Sequence, residues 1–272
     1  MQANPYAPFL PPHHQHAASL APKSTWWQWH GHRVHIANRG KEKRERLAEE
    51  LGVSVSEKLP ELAADDVLVL AVKPQDMQAA CQGVQTNGAL VLSVAAGLSI
   101  ATLSRYLGGT RRIVRVMPNT PGKIGLGVSG MFADDSVSDQ DKAAADSIMR
   151  AVGITVWLDG EERLHDITGI SGSGPAYVFY LLDALKQAAR QQGFGEEEAR
   201  RLSLATFKGA VALAEQTGED FAVLQQNVTS KGGTTHEAIE TFKVGQVAET
   251  VAKGVAACVN RSRELAKQFE AV

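Results

Sequence analysis

Short apolar runs alternate with helical patterns between residues 33 and 158, and this alternation is the strongest constraint on the fold. The strand candidates are residues 34–37, 67–72, 90–94, 113–117, 127–132 and 155–158, and the helix candidates are residues 42–51, 74–84, 100–107 and 139–152. Continuously apolar strands are typical of sheets covered on both faces, and strands that alternate with helices run parallel. We therefore predict a parallel α/β sheet for this part of the chain.

The strand signal ends after residue 159. Helical patterns then cover residues 175–192, 196–216, 220–226, 235–242 and 247–269. They predict a separate all-helical domain of about 110 residues. Small residues such as Ala205, Gly209 and Ala210 allow helices to approach closely, which suits a tight bundle or an interlocked dimer. The predicted division is residues 1–30, 31–160 and 161–272.

Composition excludes several classes of function. The net charge of the 272 residues is −2, which gives no general attraction to nucleic acid. No stretch reaches the roughly 18 apolar residues of a membrane span, and the N-terminus lacks the pattern of a signal peptide. We therefore expect a cytoplasmic protein without membrane contact. Cys81 and Cys258 lie far apart without metal-ligand spacing, so no metal site is predicted.

The segment VTSKGGTT, residues 228–235, is a candidate anion site. Two glycines between hydroxyl residues can turn successive backbone N–H groups toward one point. A helical pattern starts at Thr235, and a helix N-terminus adds partial positive charge there. The expected ligand is a small carboxylate or phosphate. The alternative is an ordinary loop between two helices with a Gly turn and a Thr cap.

Five short segments occur in the order typical of one known family. They are AVKP (residues 71–74), SVAAG (93–97), RVMPNTP (115–121), SGSGPAY (171–177) and the VTSKGGTT segment. Each is weak alone, but together and in register they closely resemble pyrroline-5-carboxylate reductase, the last enzyme of proline synthesis. The resemblance covers the chain from about Val34 to the C-terminus.

The resemblance implies a fold and an activity. The fold would be a Rossmann-like dinucleotide-binding domain followed by an all-α dimerisation domain. The activity would be NADPH-dependent reduction of 1-pyrroline-5-carboxylate to L-proline in a homodimer or a larger oligomer. The alternatives are a related imine or β-hydroxyacid reductase, and a pseudoenzyme that keeps only the helical dimer.

The resemblance also assigns residues. Backbone N–H groups of Gly232, Gly233 and Thr234 would hold the substrate carboxylate, Ser230 would shape the loop, and the Thr235 hydroxyl would bond the ring nitrogen as the catalytic group. The cofactor site would be lined by Asn38, Arg39, Ala71, Val72, Lys73, Pro74, Val94, Ala95, Ala96, Gly97, Asn119 and Asn227. The roles of Lys231, Glu161 and His236 stay open.

The end of the strand at residues 34–37 favours NADPH over NADH. In a dinucleotide fold an acid at this point bonds the ribose 2′-hydroxyl, whereas an Arg accommodates a 2′-phosphate. Here the strand is followed by Asn38, Arg39 and Gly40, without an acid. An exposed turn with an unrelated Arg is the alternative, and NADH stays the second cofactor choice.

Residues 1–30 depart from the family pattern. A phosphate-binding glycine loop is expected roughly 20 residues before the end of the second strand. This segment has no glycine, but it holds half of the ten prolines and three of the four tryptophans. Two interpretations stay open: a shifted or wrongly started reading frame, which the abrupt change of composition favours, or a divergent terminus that has lost pyrophosphate binding. His13, His14 and His16 are not expected to form a functional metal site.

Overall fold

The computed structural model describes residues 33–270. The chain divides into two compact units, and the described part of the first is residues 33–164 together with 265–270. The second unit is His165–Glu264. Residues 265–270, which the sequence-based division assigns to the helical domain, group with the first unit because Phe269 packs against its core. The predicted anomalous segment 1–30 lies outside the described residues.

The first unit contains two sheets. A two-stranded sheet pairs β1 (His35–Ala37) with β2 (Ser54–Ser56), and a five-stranded sheet has the order β3-β4-β5-β6-β7. These five strands are Val67–Leu70, Leu90–Ser93, Ile113–Met117, Gly127–Ala133 and Gly153–Trp157. The polar β2 has no apolar run, and the sequence did not predict it.

The relative direction of two paired strands depends on the length of the connection between them. The pairs β1–β2, β3–β4, β4–β5 and β6–β7 are parallel, as predicted. The prediction was wrong for β5–β6, which is antiparallel. A parallel connection needs a crossover of a dozen or more residues, whereas only a short loop with the 3₁₀ turn Thr120–Ile124 joins these two strands.

Helices cover the five-stranded sheet on opposite faces at its two ends. The helices of the first unit are α1 (Lys41–Leu51), α2 (Met77–Cys81), α3 (Ile100–Tyr106) and α4 (Asp139–Arg150). One core cluster joins β3, β4 and β5 to α2 and α3 through Leu70, Met77 and Leu103. A second joins β4, β5 and β6 to α4 through residues such as Met131 and Met149.

Two details differ from the predicted elements. The expected helix at residues 74–84 is a 3₁₀ turn, Pro74–Asp76, followed by the short α2, because the chain turns to an extended conformation at Gln82. Along β3, Leu68 and Leu70 are buried while Val67 and Val69 are 37% and 42% exposed. Within the described residues, β3 is the first strand in the order of the five-stranded sheet. The face that carries Val67 and Val69 is partly exposed.

The second unit is helical throughout. It contains α5 (Arg163–Ile167, which begins in the first unit), α6 (Gly174–Gln191), α7 (Glu196–Thr217), α8 (Phe221–Asn227), α9 (Thr234–Val244) and most of α10 (Val247–Glu270). A π-helical turn, Thr168–Gly172, leads from α5 into α6, and neither α5 nor this turn was predicted. No helix of residues 33–270 is long and apolar enough to cross a membrane.

An ion pair between Arg112 and Asp141 lies at the amino ends of β3, β4 and β5. Arg112 donates through Nε and Nη2 to both carboxylate oxygens of Asp141 on α4, at 2.8 and 2.6 Å. Its Nη1 donates to the carbonyls of Ala64 and Gly88. The guanidinium thus joins α4 to the chain entering β3 and β4, and it holds the pKa of the Asp141 carboxyl below its usual value.

We predict that Asp141→Asn lowers the free energy of unfolding by about 2 kcal/mol at neutral pH, because charge-assisted hydrogen bonds are lost. A carboxyl with a depressed folded pKa stabilises the fold above its unfolded pKa, about 3.9, and loses that effect as pH falls through the folded value. Urea unfolding over this range should therefore show the two proteins converging at acid pH. A difference independent of pH would show that the charge is not involved.

Candidate active site

The carboxyl ends of three parallel strands place two loops side by side. Leu70, Ser93 and Arg115 are successive partners across β3, β4 and β5. The loops after β3 and β4 therefore leave the sheet at one edge, where ligands bind in open α/β sheets. The Val94 N–H donates to the Leu70 carbonyl at 3.1 Å, which ties the start of the second loop to the end of β3.

The loop after β3 is open to solvent. Ala71, Val72 and Lys73 are exposed, and Pro74 is half-buried. The Lys73 carbonyl accepts the Asp76 N–H at 2.9 Å, which closes the 3₁₀ turn. The loop can present its backbone and the Lys73 ammonium group to a ligand.

The loop after β4 is more tightly packed. Ala95 is buried and Ala96 is exposed. Gly97 has φ +76°, and a β-carbon there would lie 3.4 Å from ring atoms of Phe269. The glycine thus permits the left-handed turn, and the last turn of α10 packs directly beside it.

The end of β1 carries the two residues expected at the adenosine ribose. The Asn38 side chain accepts the Gly40 N–H at 3.0 Å and so forms the turn into α1. Arg44 donates to the carbonyls of Asn38 and Arg39, which fixes this turn. The Arg39 residue itself is exposed, so its guanidinium can reach an anion beyond the strand.

Asn119 is already engaged within the first unit. Its side-chain oxygen accepts the Val128 N–H at 2.9 Å, and the residue is 9% exposed. This bond fixes the turn between β5 and β6. Part of the Asn119 side chain is therefore already used within the first unit.

The VTSKGGTT segment joins α8 to α9 in the second unit. Gly232 has φ +69°, and Gly233 is the N-cap of α9, where no side chain provides a capping bond. A β-carbon on Gly233 would lie 2.4 Å from the Ser230 hydroxyl oxygen. The chain thus reaches an 11-residue helix through a turn that leaves its first N–H groups without a side-chain cap, as an anion site requires.

The geometry changes one expected donor. The Gly233 N–H donates to the Ser230 carbonyl at 3.0 Å and is used within the turn. The N–H groups that open α9, beginning with Thr234 and Thr235, are therefore better donors for a carboxylate. Thr235 and His236 are half-buried, whereas Lys231 is exposed. Asn227 ends α8, and its side chain donates to Glu219 at 3.4 Å.

Sequence reasoning missed a buried ion pair in the first unit. Arg115, in the middle of β5, is 6% exposed and donates to Glu161 Oε1 at 2.9 Å. An Arg inside the otherwise apolar run of residues 113–117 was the available signal, because a buried charge needs a partner. Within residues 33–270, no group of three or more His, Cys, Asp or Glu could hold a metal ion.

Comparisons with known proteins identify the class first. Residues 17–97 match the family model described as NADP oxidoreductase, coenzyme F420-dependent. Residues 161–265 match the model described as pyrroline-5-carboxylate reductase dimerisation. Together with the α/β unit and the helical unit, these matches define an NADP-dependent oxidoreductase with a Rossmann-like domain and a helical dimerisation domain.

Individual relatives then identify the family. The chain is 40% identical to the pyrroline-5-carboxylate reductase of Pseudomonas aeruginosa over 87% of its own length and 88% of that protein. The corresponding reductase of Vibrio alginolyticus is also 40% identical, over 82% and 84%. The chain therefore belongs to the pyrroline-5-carboxylate reductase family, as its motifs predicted.

Solved structures agree with this assignment. A pyrroline-5-carboxylate reductase from Coxiella burnetii aligns with a TM-score of 0.80 and 35% identity, covering 91% of this chain and 93% of that one. Pyrroline carboxylate reductase from Plasmodium falciparum, solved with NADP bound, aligns with a TM-score of 0.74 and 25% identity, covering 87% and 98%.

We predict that the chain as written binds NADPH weakly, because residues 1–30 contain no glycine loop. Such a loop normally supplies charge-assisted hydrogen bonds to pyrophosphate, each worth roughly 1.5–3 kcal/mol. Losing two of them weakens binding by about a hundredfold or more. A fluorescence titration measures this affinity. The control is a chimera with the N-terminal segment of the Pseudomonas aeruginosa relative in place of residues 1–33. Low-micromolar affinity of the unaltered chain would contradict the prediction.

In the same chimera, we predict that Arg39→Ala raises the Michaelis constant for NADPH far more than that for NADH. Only NADPH carries the 2′-phosphate that the guanidinium can pair with. Lys142→Ala removes one positive charge from α4 instead and serves as the control. Steady-state kinetics with both cofactors measures the effect, and equal changes for NADPH and NADH would remove Arg39 from the 2′-phosphate site.

Proposed function

We propose that this chain reduces 1-pyrroline-5-carboxylate to L-proline with NADPH. The observation that carries the proposal is the uncapped N-terminus of α9 behind the Gly232–Gly233 turn, in a chain 40% identical to pyrroline-5-carboxylate reductases. The substrate has one carboxylate and one C=N bond. The segment offers backbone N–H donors to the carboxylate and a threonine hydroxyl close to them.

The residues of the first unit fit a nicotinamide dinucleotide at both of its ends. Arg39 is exposed at the end of β1 and suits a 2′-phosphate. Residues 71–74 and 94–97 provide adjacent loops at the carboxyl edge of the sheet, where the nicotinamide end would lie. Asn119 of this unit is also in the proposed set, as is Asn227 of the second unit.

The chemistry divides simply between cofactor and protein. NADPH, when bound, supplies the hydride that reduces the C=N carbon. The protein holds the substrate carboxylate by the N–H groups of Gly232, Thr234 and Thr235, with Ser230 and Gly233 shaping the turn. The Thr235 hydroxyl bonds the ring nitrogen, which becomes an amine as the C=N bond is reduced. Most of the catalytic effect comes from orientation, because the substrate iminium is already electrophilic.

We further propose a homodimer built through the second unit. Large apolar side chains there are exposed to an extent unusual for a monomer, among them Phe179 (64%), Tyr180 (76%), Phe221 (79%) and Val244 (84%). Extensive exposed apolar surface marks interaction sites, and residues 161–265 match the model described as pyrroline-5-carboxylate reductase dimerisation. A second copy of the chain is therefore the expected partner. We also expect the protein in the cytoplasm and expect no nucleic-acid partner.

Two other activities make different demands on the same segment. A β-hydroxyacid reductase would also need a carboxylate site, but it would turn over hydroxy acids with the oxidised cofactor. A pseudoenzyme would keep the dimer and reduce neither substrate. Steady-state assays of the chain and of the chimera with the cyclic imine and with hydroxy acids separate these possibilities.

For the chimera at saturating NADPH, we predict that Thr235→Val lowers turnover about 10- to 150-fold. The substitution keeps the shape and removes one hydrogen bond to the ring nitrogen, whose charge changes during hydride transfer; such a bond is worth roughly 1.5–3 kcal/mol. A bond that is stronger in the transition state than in the ground state affects turnover when it is lost. Pre-steady-state and steady-state rates of imine reduction measure the effect.

Thr234→Val is the matched control, because Thr234 is proposed to act through its backbone N–H, which valine keeps. Its turnover should stay close to that of the parent chimera. Unchanged turnover for Thr235→Val would leave the hydroxyl without a catalytic role, and equal losses for both variants would indicate a disturbed helix start.

A further inference from the structure

Glu161 has two hydrogen-bond donors on one carboxylate oxygen. Its Oε1 accepts the Ile100 backbone N–H at 2.7 Å and the Arg115 Nη1–H at 2.9 Å. Ile100 is the first residue of α3, so its N–H has no partner inside the helix. Glu161 therefore satisfies, from a distant part of the chain, an N–H that the local cap Ser99 leaves free, because Ser99 bonds the Thr102 N–H.

Arg115 is the more deeply buried member of the pair. The Arg115 side chain is 8% exposed, whereas that of Glu161 is 28% exposed. Arg115 lies in the interior of β5, between Ser93 of β4 and Phe132 of β6. A guanidinium in this position needs an anion, and Glu161 provides it. The carboxylate is thereby committed to two donors and is a poor candidate for a proton-transfer group.

The β4–α3 loop, residues 94–99, connects the strand partner of Arg115 to the helix that begins at Ile100. The loop begins directly after Ser93, the strand partner of Arg115. It ends at Ser99, the N-cap of α3, whose hydroxyl oxygen accepts the Thr102 N–H at 3.2 Å. Gly97 within it is covered by Phe269. The position of the loop thus depends on the bond from Ile100 to Glu161 at one end and on the β4–β5 ladder at the other.

We propose that Glu161 is a positioning residue, which holds the β4–α3 loop at the carboxyl edge of the sheet while Arg115 holds the Glu161 carboxylate. This inference rests on the proposed function, in which residues 94–97 line the nicotinamide end of the cofactor site. Glu161 contacts neither substrate nor cofactor in this role. It acts through the first N–H of α3.

Hydrogen exchange of the cofactor-free chain tests the positioning directly. Glu161→Gln keeps the shape but removes the charge that faces Arg115. Exchange in a peptide covering residues 94–102 should become about tenfold faster, because the neutral amide oxygen of Gln accepts the Ile100 N–H more weakly than a carboxylate oxygen does. Peptides from β5 and β6 report the exchange of the rest of the sheet.

Asp141→Asn is the matched control. It breaks a second Arg–carboxylate pair of the same unit, that of Arg112 at the amino end of the sheet. It should lower global stability without selectively accelerating exchange in the β4–α3 loop. Selective acceleration by Glu161→Gln alone supports the proposal. Acceleration of the loop by both variants, or by neither, overturns it.

Glu161→Asp keeps the proposal testable if the Gln variant folds poorly, because it retains the negative charge and withdraws the carboxylate by one carbon. The shorter side chain should keep the charge near Arg115 but lose the bond to Ile100. Faster loop exchange at near-parental stability is the expected result, and parental exchange would contradict the positioning role.

Cofactor titrations then connect the loop to function. Glu161→Gln should raise the NADPH Michaelis constant about tenfold with turnover changed by less than about twofold, since the positioning bond is weakened and no reacting group is touched. Asp141→Asn should change neither. An unchanged NADPH constant in a chain that binds NADPH overturns the link to the cofactor. Failure of the unaltered chain and of the chimera to bind NADPH counts against the proposed function instead, and the exchange contrast still decides the positioning role.

Discussion

Parallel pairing of β3, β4 and β5 is the constraint on which the rest of the first unit depends. Parallel strands need crossover connections, so each strand is followed by a segment that leaves the same edge of the sheet. The loops at residues 71–74 and 94–97 are adjacent for this reason. The same pairing buries Arg115 in the middle of β5, and the buried charge in turn requires Glu161. Sheet topology, cofactor loops and the internal ion pair thus form one arrangement.

Apolar pattern alone was enough to locate most strands and long helices. Residues 113–117 were predicted as a strand and form β5 with the same bounds, because a short run that is apolar apart from Arg115 and lies between turns has few other conformations. Strand Ser54–Ser56 was not predicted because it is mostly polar and only three residues long. The antiparallel direction of β6 depends on the turn after Asn119, where the side chain of that residue bonds the Val128 N–H. Hydrophobic pattern does not encode such a turn.

The candidate site was predictable where its chemistry is local in sequence. The Gly232–Gly233 turn and the start of α9 lie within eight residues in the printed sequence, and glycine and threonine there have direct conformational meaning. The Arg115–Glu161 pair joins residues 46 positions apart, and only the three-dimensional fold brings them together. The hydrogen bond from the Gly233 N–H to the Ser230 carbonyl likewise depends on the backbone conformation of the turn. Because this bond occupies the Gly233 N–H, the N–H groups of Thr234 and Thr235 at the start of α9 are the better carboxylate donors.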